Sequence, residues 1–250
     1  MFSHPNAQEA SQTPPRPLGQ LLETPTPPFP PPTTLQGRAC TLIPLATHHY
    51  PSLHKALCLP PAPPTLWDYM LRGPFPAFAD FEDAMNTLLN NDQDSKQYFV
   101  ICTPSDDGSG ERIPMGMLSL IEINPAHRSV EIGNVIYAPA LQRTAAATEA
   151  NWLLLRHAFG LGYRRVVWKC NDLNEASKRA ALRLGFEYEG VSKCHMVVRG
   201  RNRDTAWFAM VEGGWPVARK ALEMWLEEGN FDGEGRQREK LEDVRRRVAQ

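Results

Sequence analysis

The 250-residue chain has a mass of 28.1 kDa, which corresponds to one domain or two small ones. Hydrophobic residues make up 42% of the sequence and charged residues 22%, so the chain can bury a sizeable core and is not disordered throughout. Lysine and arginine number 27 against 28 aspartate and glutamate. This balance gives no electrostatic case for a nucleic-acid binder or a membrane-surface protein. No apolar run approaches the roughly 18 residues that a membrane helix requires.

The start of the chain has neither a basic nor an apolar leader region, so no secretory signal is predicted. The only basic side chain before Arg38 is Arg16, which also argues against a transit peptide. Five cysteines occur at wide spacings without a CxxC pair: Cys40, Cys58, Cys102, Cys170 and Cys194. An odd and scattered set argues against a disulfide framework or a structural zinc site. We therefore predict reduced thiols in a cytoplasmic protein.

Proline defines the first boundary, because ten of the 23 prolines fall within residues 1–36. Proline lacks the backbone N–H that helices and strands use, and this segment has little to bury. We predict a disordered, proline-rich N-terminal arm over 1–36, which is either an inert tail or a ligand for an aromatic groove of a partner.

The first half of the folded region is predicted to be rich in strands. Apolar runs and helical spacing predict a strand over 38–45, an interrupted helix over 47–57, a helix over 78–89, and strands over 98–103, 115–123 and 129–137. The last three strands follow one another with short connections, which is typical of an antiparallel meander.

The second half alternates helices and strands. Glycine stops and apolar stripes predict a helix over 145–159, a strand over 164–170, a helix over 174–184 and a hairpin of strands over 186–198 and 203–211. A strand, a helix and a strand in succession favour a parallel pair with a crossover helix. The domain is thus predicted over 37–215, with a charged helical extension over 216–250 that begins with a docked helix and continues as a frayed one.

The link between the strand over 129–137 and the helix after Thr144 is the most informative stretch. A helix start presents unpaired N–H groups and a positive dipole end, which together favour an anion. Arg143 adds a positive charge, and Ala145 to Ala147 would let a phosphate approach closely. The alternative is that an alanine-rich start is simply a good helix.

The order and spacing of these segments resemble the GNAT N-acetyltransferase superfamily, in particular its RimJ/RimL-like branch. The resemblance covers about residues 37–215. The matching pieces are Glu131-Ile132-Gly133, Gln142-Arg143-x-Ala145-x-Ala147, Leu161-Gly162-Tyr163-Arg164-Arg165, Asn174-x-x-Ser177, Leu184-Gly185-Phe186 and Arg203-Asp204-Thr205.

The resemblance implies an α+β GNAT fold. Its central sheet is mixed and mostly antiparallel, splayed between its fourth and fifth strands and flanked by helices. It also implies acetyl-CoA as the cosubstrate, lying in the splay. No metal is predicted: His48, His49, His54 and Cys58 have some metal-like spacing, but Pro51 interrupts the helix that would align them and no carboxylate lies among them. The implied cofactor-binding residues are Val135, Ile136, Tyr137, Gln142, Arg143, Thr144, Ala145, Ala146, Ala147, Thr148, Asn174 and Ser177. Family glycines are replaced by Ala145 and Ala147, so a methyl either crowds the phosphate or sits on a backbone of negative φ.

Direct transfer to an amine requires a base, an oxyanion donor and a proton for the leaving thiolate. We predict Glu131 as the general base, directly or through a water, and a backbone N–H near Ile136 as the donor. The alternative for Glu131 is an ion-paired or solvent-facing strand residue. Many relatives carry a tyrosine at the position aligned with Ala181, so solvent, Ser177 or a more distant group such as Tyr69 or His195 would have to supply the proton.

The predicted acceptor is a primary amine, on a protein N-terminus or a small molecule. The loop with Trp67, Tyr69 and Phe75 is predicted to line the acceptor side. Arg199, Arg201 and Arg203 form a solvated hairpin tip, or bind an acidic substrate or the 3′-phosphate of the cofactor. We expect a monomer or homodimer with no nucleic-acid or membrane partner. The competing function is a catalytically degenerate CoA-binding or protein-interaction module.

Overall fold

The computed structural model describes residues 16–90, 95–105 and 110–250. The strands are β1 Leu35–Gln36, β2 Thr41–Pro44, β3 Gln97–Pro104, β4 Arg112–Asn124, β5 Ser129–Tyr137, β6 Arg165–Asn171, β7 Glu187–Val198 and β8 Arg201–Val211. The α-helices are α1 Tyr50–Cys58, α2 Phe78–Asn90, α3 Ala145–Gly160, α4 Glu175–Leu184, α5 Trp215–Trp225 and α6 Leu241–Val248. The sequence also predicts a turn over 105–110 and, from Asn90-Asn91-Asp92, a stop for the second helix, and both lie partly outside the described residues.

The eight strands form one sheet in the order β1-β2-β3-β4-β5-β6-β8-β7. Neighbours β5 and β6 are parallel and are joined by the crossover helix α3, whereas every other neighbouring pair is antiparallel. The predicted α+β class and the mixed, mostly antiparallel sheet are confirmed. None of the helices in the described ranges has the length and apolar character that crossing a membrane would require.

Helices cover both faces of the sheet, and each face has its own apolar core. Alternation along β3 shows the division: Phe99 and Ile101 join the core under α3 to α6, and Tyr98 and Val100 join the core under α1 and α2. We name these the α3 face and the α1 face. Because β3 is buried on both faces, its sequence is a continuous apolar run rather than an alternating one.

Two local predictions change for identifiable reasons. Pro51 does not interrupt α1 but stands in its first turn, where its missing N–H has no helical partner to lose. The β7–β8 connection is only two residues long, since Arg199 and Gly200 both adopt positive φ, 49° and 73°. That backbone is the geometry of the tightest hairpin turns.

The N-terminal arm packs on the domain over its second half. Three side chains of the domain donate hydrogen bonds to it: Gln97 to the Pro30 carbonyl (2.7 Å), Tyr163 to the Pro28 carbonyl (3.1 Å) and Arg128 to Thr24. Residues 1–15 lie outside the described residues. The expectation of a disordered arm to residue 36 therefore fails from Thr24 onward, because carbonyls next to proline remain good acceptors and β1 joins the sheet.

The C-terminal extension also docks on the domain. Leu241 and Val244 of α6 are buried, so the charged face of this helix is outside and its apolar stripe is inside. Arg245 donates hydrogen bonds to the carbonyls of Arg183 (2.6 Å) and Leu182 (3.1 Å) at the end of α4. A cation at the C-terminal carbonyls of a helix is stabilising. The helix α6 is therefore docked on the domain, whereas a frayed helix was predicted.

A buried carboxylate fixes the turn between β1 and β2. Glu149 of α3 is 4% exposed and accepts hydrogen bonds from the backbone N–H groups of Arg38 (2.9 Å), Ala39 (2.7 Å) and Cys40 (2.8 Å). Each is a charge-assisted bond, and none of the three N–H groups would find an equal partner without the carboxylate.

Replacing Glu149 tests this attachment. We expect Glu149→Ala to lower the free energy of unfolding by about 3 kcal/mol, because it leaves backbone donors unpaired in a buried site. The exposed Glu212, paired with Arg164 at 2.9 Å, is the matched control, and Glu212→Ala should lose less than about 1 kcal/mol. Urea unfolding of both variants measures the difference, and equal losses would contradict the assigned role.

Candidate active site

The parallel strands β5 and β6 separate halfway along their length. Pairing runs from Ser129↔Arg165 to Ile132↔Trp168 and ends there in the described residues, although β5 continues to Tyr137 and β6 to Asn171. A cleft of about 120 Å³ opens at this divergence. These are the fourth and fifth strands of the sequence-based scheme, because the short β1 was not predicted, so the splay is confirmed.

A bulge in β5 shapes the wall of the cleft. Asn134 and Val135 together oppose the single residue Leu118 of β4, and Asn134 has a φ of 51°. Asparagine tolerates this left-handed conformation better than most residues. Its side-chain amide donates to the buried Ser119 hydroxyl (3.0 Å), which donates to the Gly133 carbonyl (2.8 Å). The bulge is therefore held by a buried polar network and directs backbone groups into the cleft.

Backbone alternation decides which amide of β5 faces the cleft. The Ala138 N–H donates to Met115 of β4 (2.8 Å), and Ile136 is two residues before Ala138, so its N–H also points toward β4. The backbone N–H and carbonyl of Tyr137 point away from β4, and the carbonyl accepts a hydrogen bond from the Gln142 side chain (3.2 Å). The N–H predicted as oxyanion donor at Ile136 is thus directed away from the cleft, because strand polarity reverses at each residue.

The α3 face contributes one side of the cleft. The Trp168 indole donates to the Ser177 hydroxyl (2.9 Å), and the Asn174 side chain caps α4 by accepting from the Ser177 N–H (3.1 Å). Both predicted residues line the cleft, together with Cys170. Burial raises the pKa of the Cys170 thiol, and the Ser177 hydroxyl opposes that rise.

The α1 face contributes the charged side of the cleft. Glu131 is 6% exposed and forms an ion pair with Lys169 of β6, with 2.6 Å between Oε2 and Nζ. Burial raises the pKa of the Glu131 carboxyl, and Lys169 and, more weakly, Arg203 oppose the rise. The Lys169 ammonium also lies 4.8 Å from the Trp207 ring centre. Glu131 thus lines the cleft and is ion-paired, as the alternative interpretation predicted, and its role as general base stays a prediction.

The start of α3 retains free donors. Thr144 is the N-cap, and its hydroxyl accepts from the Ala147 N–H (3.2 Å). Within the described ranges, no acceptor occurs for the N–H groups of Ala145 and Ala146, which are the two donors left for an anion. Ala145 is the first helical residue, so its backbone has the negative φ that alanine prefers. Arg143 is exposed beside them, with a φ of 62°.

Only one of the three aromatic residues predicted for the acceptor side lies in the cleft. Trp67 and Phe75 are 3% and 9% exposed and stack edge to face in the α1-face core, with ring centres 5.0 Å apart. Tyr69 is 40% exposed and lines the cleft. The correction follows from the Trp67 indole, which donates to the Leu57 carbonyl (3.0 Å) and so turns inward.

Other sequence candidates have structural partners elsewhere. His195 contacts the Thr205 hydroxyl (3.0 Å), and His54 contacts the Phe75 carbonyl (3.0 Å). In the part of the chain that the structure describes, no group of three histidine, cysteine, aspartate or glutamate residues is arranged to hold a metal. Lys169 and Arg203 are cleft residues that motif reasoning did not assign to catalysis, and alternation from Glu131 across the parallel pair is the signal that locates Lys169.

Comparison with known proteins places this geometry in a family. A family model described as acetyltransferase (GNAT) domain matches residues 40–187, more than half of the chain. A GCN5-related N-acetyltransferase from Brucella melitensis is 36% identical over 90% of this chain and 100% of its own, with a TM-score of 0.82. A probable GNAT-family acetyltransferase from Chromobacterium violaceum ATCC 12472 is 36% identical over 82% and 100%, with a TM-score of 0.72. The search of curated proteins finds no match.

A RimL ribosomal L7/L12 alpha-N-protein acetyltransferase structure is 21% identical over 72% of this chain and 94% of its own, with a TM-score of 0.60. Identity at this level supports the shared fold and leaves the RimJ/RimL-like branch a prediction. The matched domain, the two structures at 36% identity and the divergence of β5 and β6 agree: the chain belongs to the GNAT acetyltransferase family.

Proposed function

We propose that this protein transfers an acetyl group from acetyl-CoA directly to a primary amine, on a protein N-terminus or a small molecule. The observation that carries the proposal is the position of Glu131. Its buried carboxylate faces the same cleft that Gly133, Asn134 and Val135 line on the free edge of β5.

The residues on the cofactor side fit acetyl-CoA. The edge of β5 beyond Ile132 has no strand partner on its β6 side within the described residues, so the backbone of Val135 and the N–H of Tyr137 are available to amide groups of a pantetheine arm, while the Tyr137 carbonyl already accepts from Gln142. The Ala145 and Ala146 N–H groups, with Arg143 beside them, suit a pyrophosphate. Bound there, acetyl-CoA would supply a thioester carbonyl open to attack by an amine.

The acceptor amine must lose a proton, and Glu131 is the group that we assign to take it. Lys169 engages Oε2, which leaves Oε1 as the accepting atom. The burial that raises the pKa of Glu131 makes it a stronger base than an exposed carboxylate, while Lys169 keeps the charged form accessible.

Two further groups complete the proposed chemistry. Backbone N–H groups of the Asn134–Val135 bulge are assigned the oxyanion role in place of Ile136, since the bulge lines the cleft. Ala181 is fully buried and carries no acid, so Ser177 is assigned as the proton donor to the leaving thiolate. Its oxygen accepts from Trp168, so its own proton, which also reaches the Cys170 thiol, is the one that it would donate.

Glu131→Gln tests the base assignment. We expect kcat/KM to fall by about 100-fold and the acidic limb of the pH profile to disappear, because the amide takes up no proton at Oε1. The assay follows free thiol released from acetyl-CoA with a panel of amines and N-terminal peptides.

The matched control is Glu212→Gln, since Glu212 is an exposed carboxylate that pairs with Arg164 rather than with Lys169. It should retain wild-type kinetics. Equal kinetics for Glu131→Gln and wild type at every pH would remove Glu131 as base. Acetyl-CoA binding without turnover of any amine would favour the degenerate CoA-binding module instead.

Lys169→Met tests the electrostatic control of Glu131. Lys169 opposes the effect of burial on Glu131, so the pKa of Glu131 should rise further when the ammonium is removed. A protonated Glu131 accepts no proton, so activity falls with decreasing pH through this pKa, and the variant should lose activity at a higher pH than wild type. A carbon-13 NMR titration of the carboxyl and the pH profile measure the shift.

Lys178→Met is the control, because Lys178 pairs with Asp172 and Glu175 rather than with Glu131. It should leave the Glu131 titration in place. A Glu131 pKa that is unchanged or lowered in Lys169→Met would contradict the account.

A further inference from the structure

A second cleft of about 380 Å³ adjoins the catalytic cleft on the α1 face. The two clefts share Tyr69, Asn171 and Arg203 as lining residues, so a molecule in one extends naturally into the other. The second cleft is further lined by Arg199 and Arg201 from the β7–β8 hairpin. We name it the arginine cleft.

The charges of the arginine cleft are strongly unequal. Three guanidinium groups line it against one carboxylate, that of Asp68. Within the described ranges neither Arg201 nor Arg203 forms an ion pair, and Arg203 is half-buried with only its Nε hydrogen-bonded, to Thr205 (3.2 Å). The carboxylate that acts on Arg203 is Glu131, which is already ion-paired with Lys169, so the positive charge of the cleft is not balanced and favours an anion.

Arg199 differs from Arg201 and Arg203 because its guanidinium is hydrogen-bonded to three backbone carbonyls. Its guanidinium donates to the carbonyls of Gly73 (2.6 Å), Trp67 (3.1 Å) and Asp68 (2.6 Å). Carbonyls satisfy its hydrogen bonds without cancelling its charge. Arg199 therefore ties the loop that carries Tyr69 to the hairpin, and it still adds a positive charge to the cleft.

The arginine cleft and the proposed binding site of the cofactor phosphates lie on opposite faces of the sheet, so the cofactor is not the expected occupant of the arginine cleft. Ala206 and Phe208 of β8 pack in the α3-face core, so Arg201 and Arg203, which alternate with them, project to the α1 face. The free donors of Ala145 and Ala146, which suit the cofactor phosphates, begin the helix that covers the α3 face.

We propose that the arginine cleft is an acceptor subsite that binds a carboxylate or phosphate group carried by the amine substrate. The inference rests on the proposed function and narrows its substrate class to amines that also bear an anionic group. Guanidinium groups pair with the two or three oxygens of such anions in a fixed geometry, which would orient the amine toward Glu131. Polycationic amines are disfavoured, because their second ammonium would meet the arginines.

Matched substrates test the subsite. The probes are β-alanine against β-alanine amide, 2-aminoethyl phosphate against ethanolamine, and spermidine, each with acetyl-CoA and the full chain. We expect kcat/KM to be at least about tenfold higher for the anionic member of a pair, and the two pairs distinguish carboxylate from phosphate as the preferred group. We expect Arg201→Gln to bring that ratio close to one. Arg219→Gln on α5, whose partner is Glu223, is the control and should keep the ratio.

A binding measurement separates the subsite from turnover. Calorimetry with succinate and with inorganic phosphate should show binding to wild type, weakened at least fivefold in Arg201→Gln and not displaced by CoA. Such binding without turnover of any probe would refute the proposed function and keep the subsite. Turnover with equal rates within both pairs, a preference for spermidine, or phosphate that CoA displaces would each overturn the inference.

Discussion

The divergence of β5 and β6 is the constraint on which the rest of the site depends. Two parallel strands that stay paired would satisfy each other's backbone groups and leave nothing for a ligand. Here the ladder ends at Ile132↔Trp168, and the strands continue apart. The bulge at Asn134 and the Glu131–Lys169 ion pair both lie next to this point. The separation of the two strands therefore opens the cleft and places the bulge and the ion pair along its walls.

Because the cleft passes through the sheet, its two sides meet different surroundings. The α3 face presents helix starts, small residues and hydrogen-bonded side chains such as Trp168 and Ser177. The α1 face presents ionised groups on alternate positions of β5, β6 and β8. In the proposed function, a nucleotide-like cosubstrate and a charged acceptor would therefore approach from opposite sides, and the thioester and amine would meet where the strands have separated.

The fold could be predicted from sequence to the extent that local signals determine it. Thr144, Asn174 and Gly185 are helix caps, and α3 and α4 begin and end where these residues indicate. The order of motifs then predicts the splay. Long-range features were not accessible: the docking of the proline-rich arm depends on side chains such as Gln97 and Tyr163, far away in the chain.

The candidate site likewise combines features that the local sequence predicts with features that depend on long-range packing. Glu131 is predicted because the family resemblance places its strand beside the thioester, but its partner Lys169 is 38 positions away and meets it only through the parallel register. Trp67 and Phe75 illustrate the opposite error, since an aromatic cluster in a loop has the same composition whether it lines a cleft or fills a core. Burial, which only the packed structure provides, separates the two cases.

Hydrogen–deuterium exchange of the full chain with and without CoA tests the central claim most directly. If the cosubstrate lies in the divergence, bound CoA should slow exchange at the amides of 134–137 and at 145–146, while the β7–β8 hairpin keeps its rate. Protection confined to the hairpin, or unchanged exchange on β5 at saturating CoA, would contradict the assignment of this cleft to acetyl-CoA.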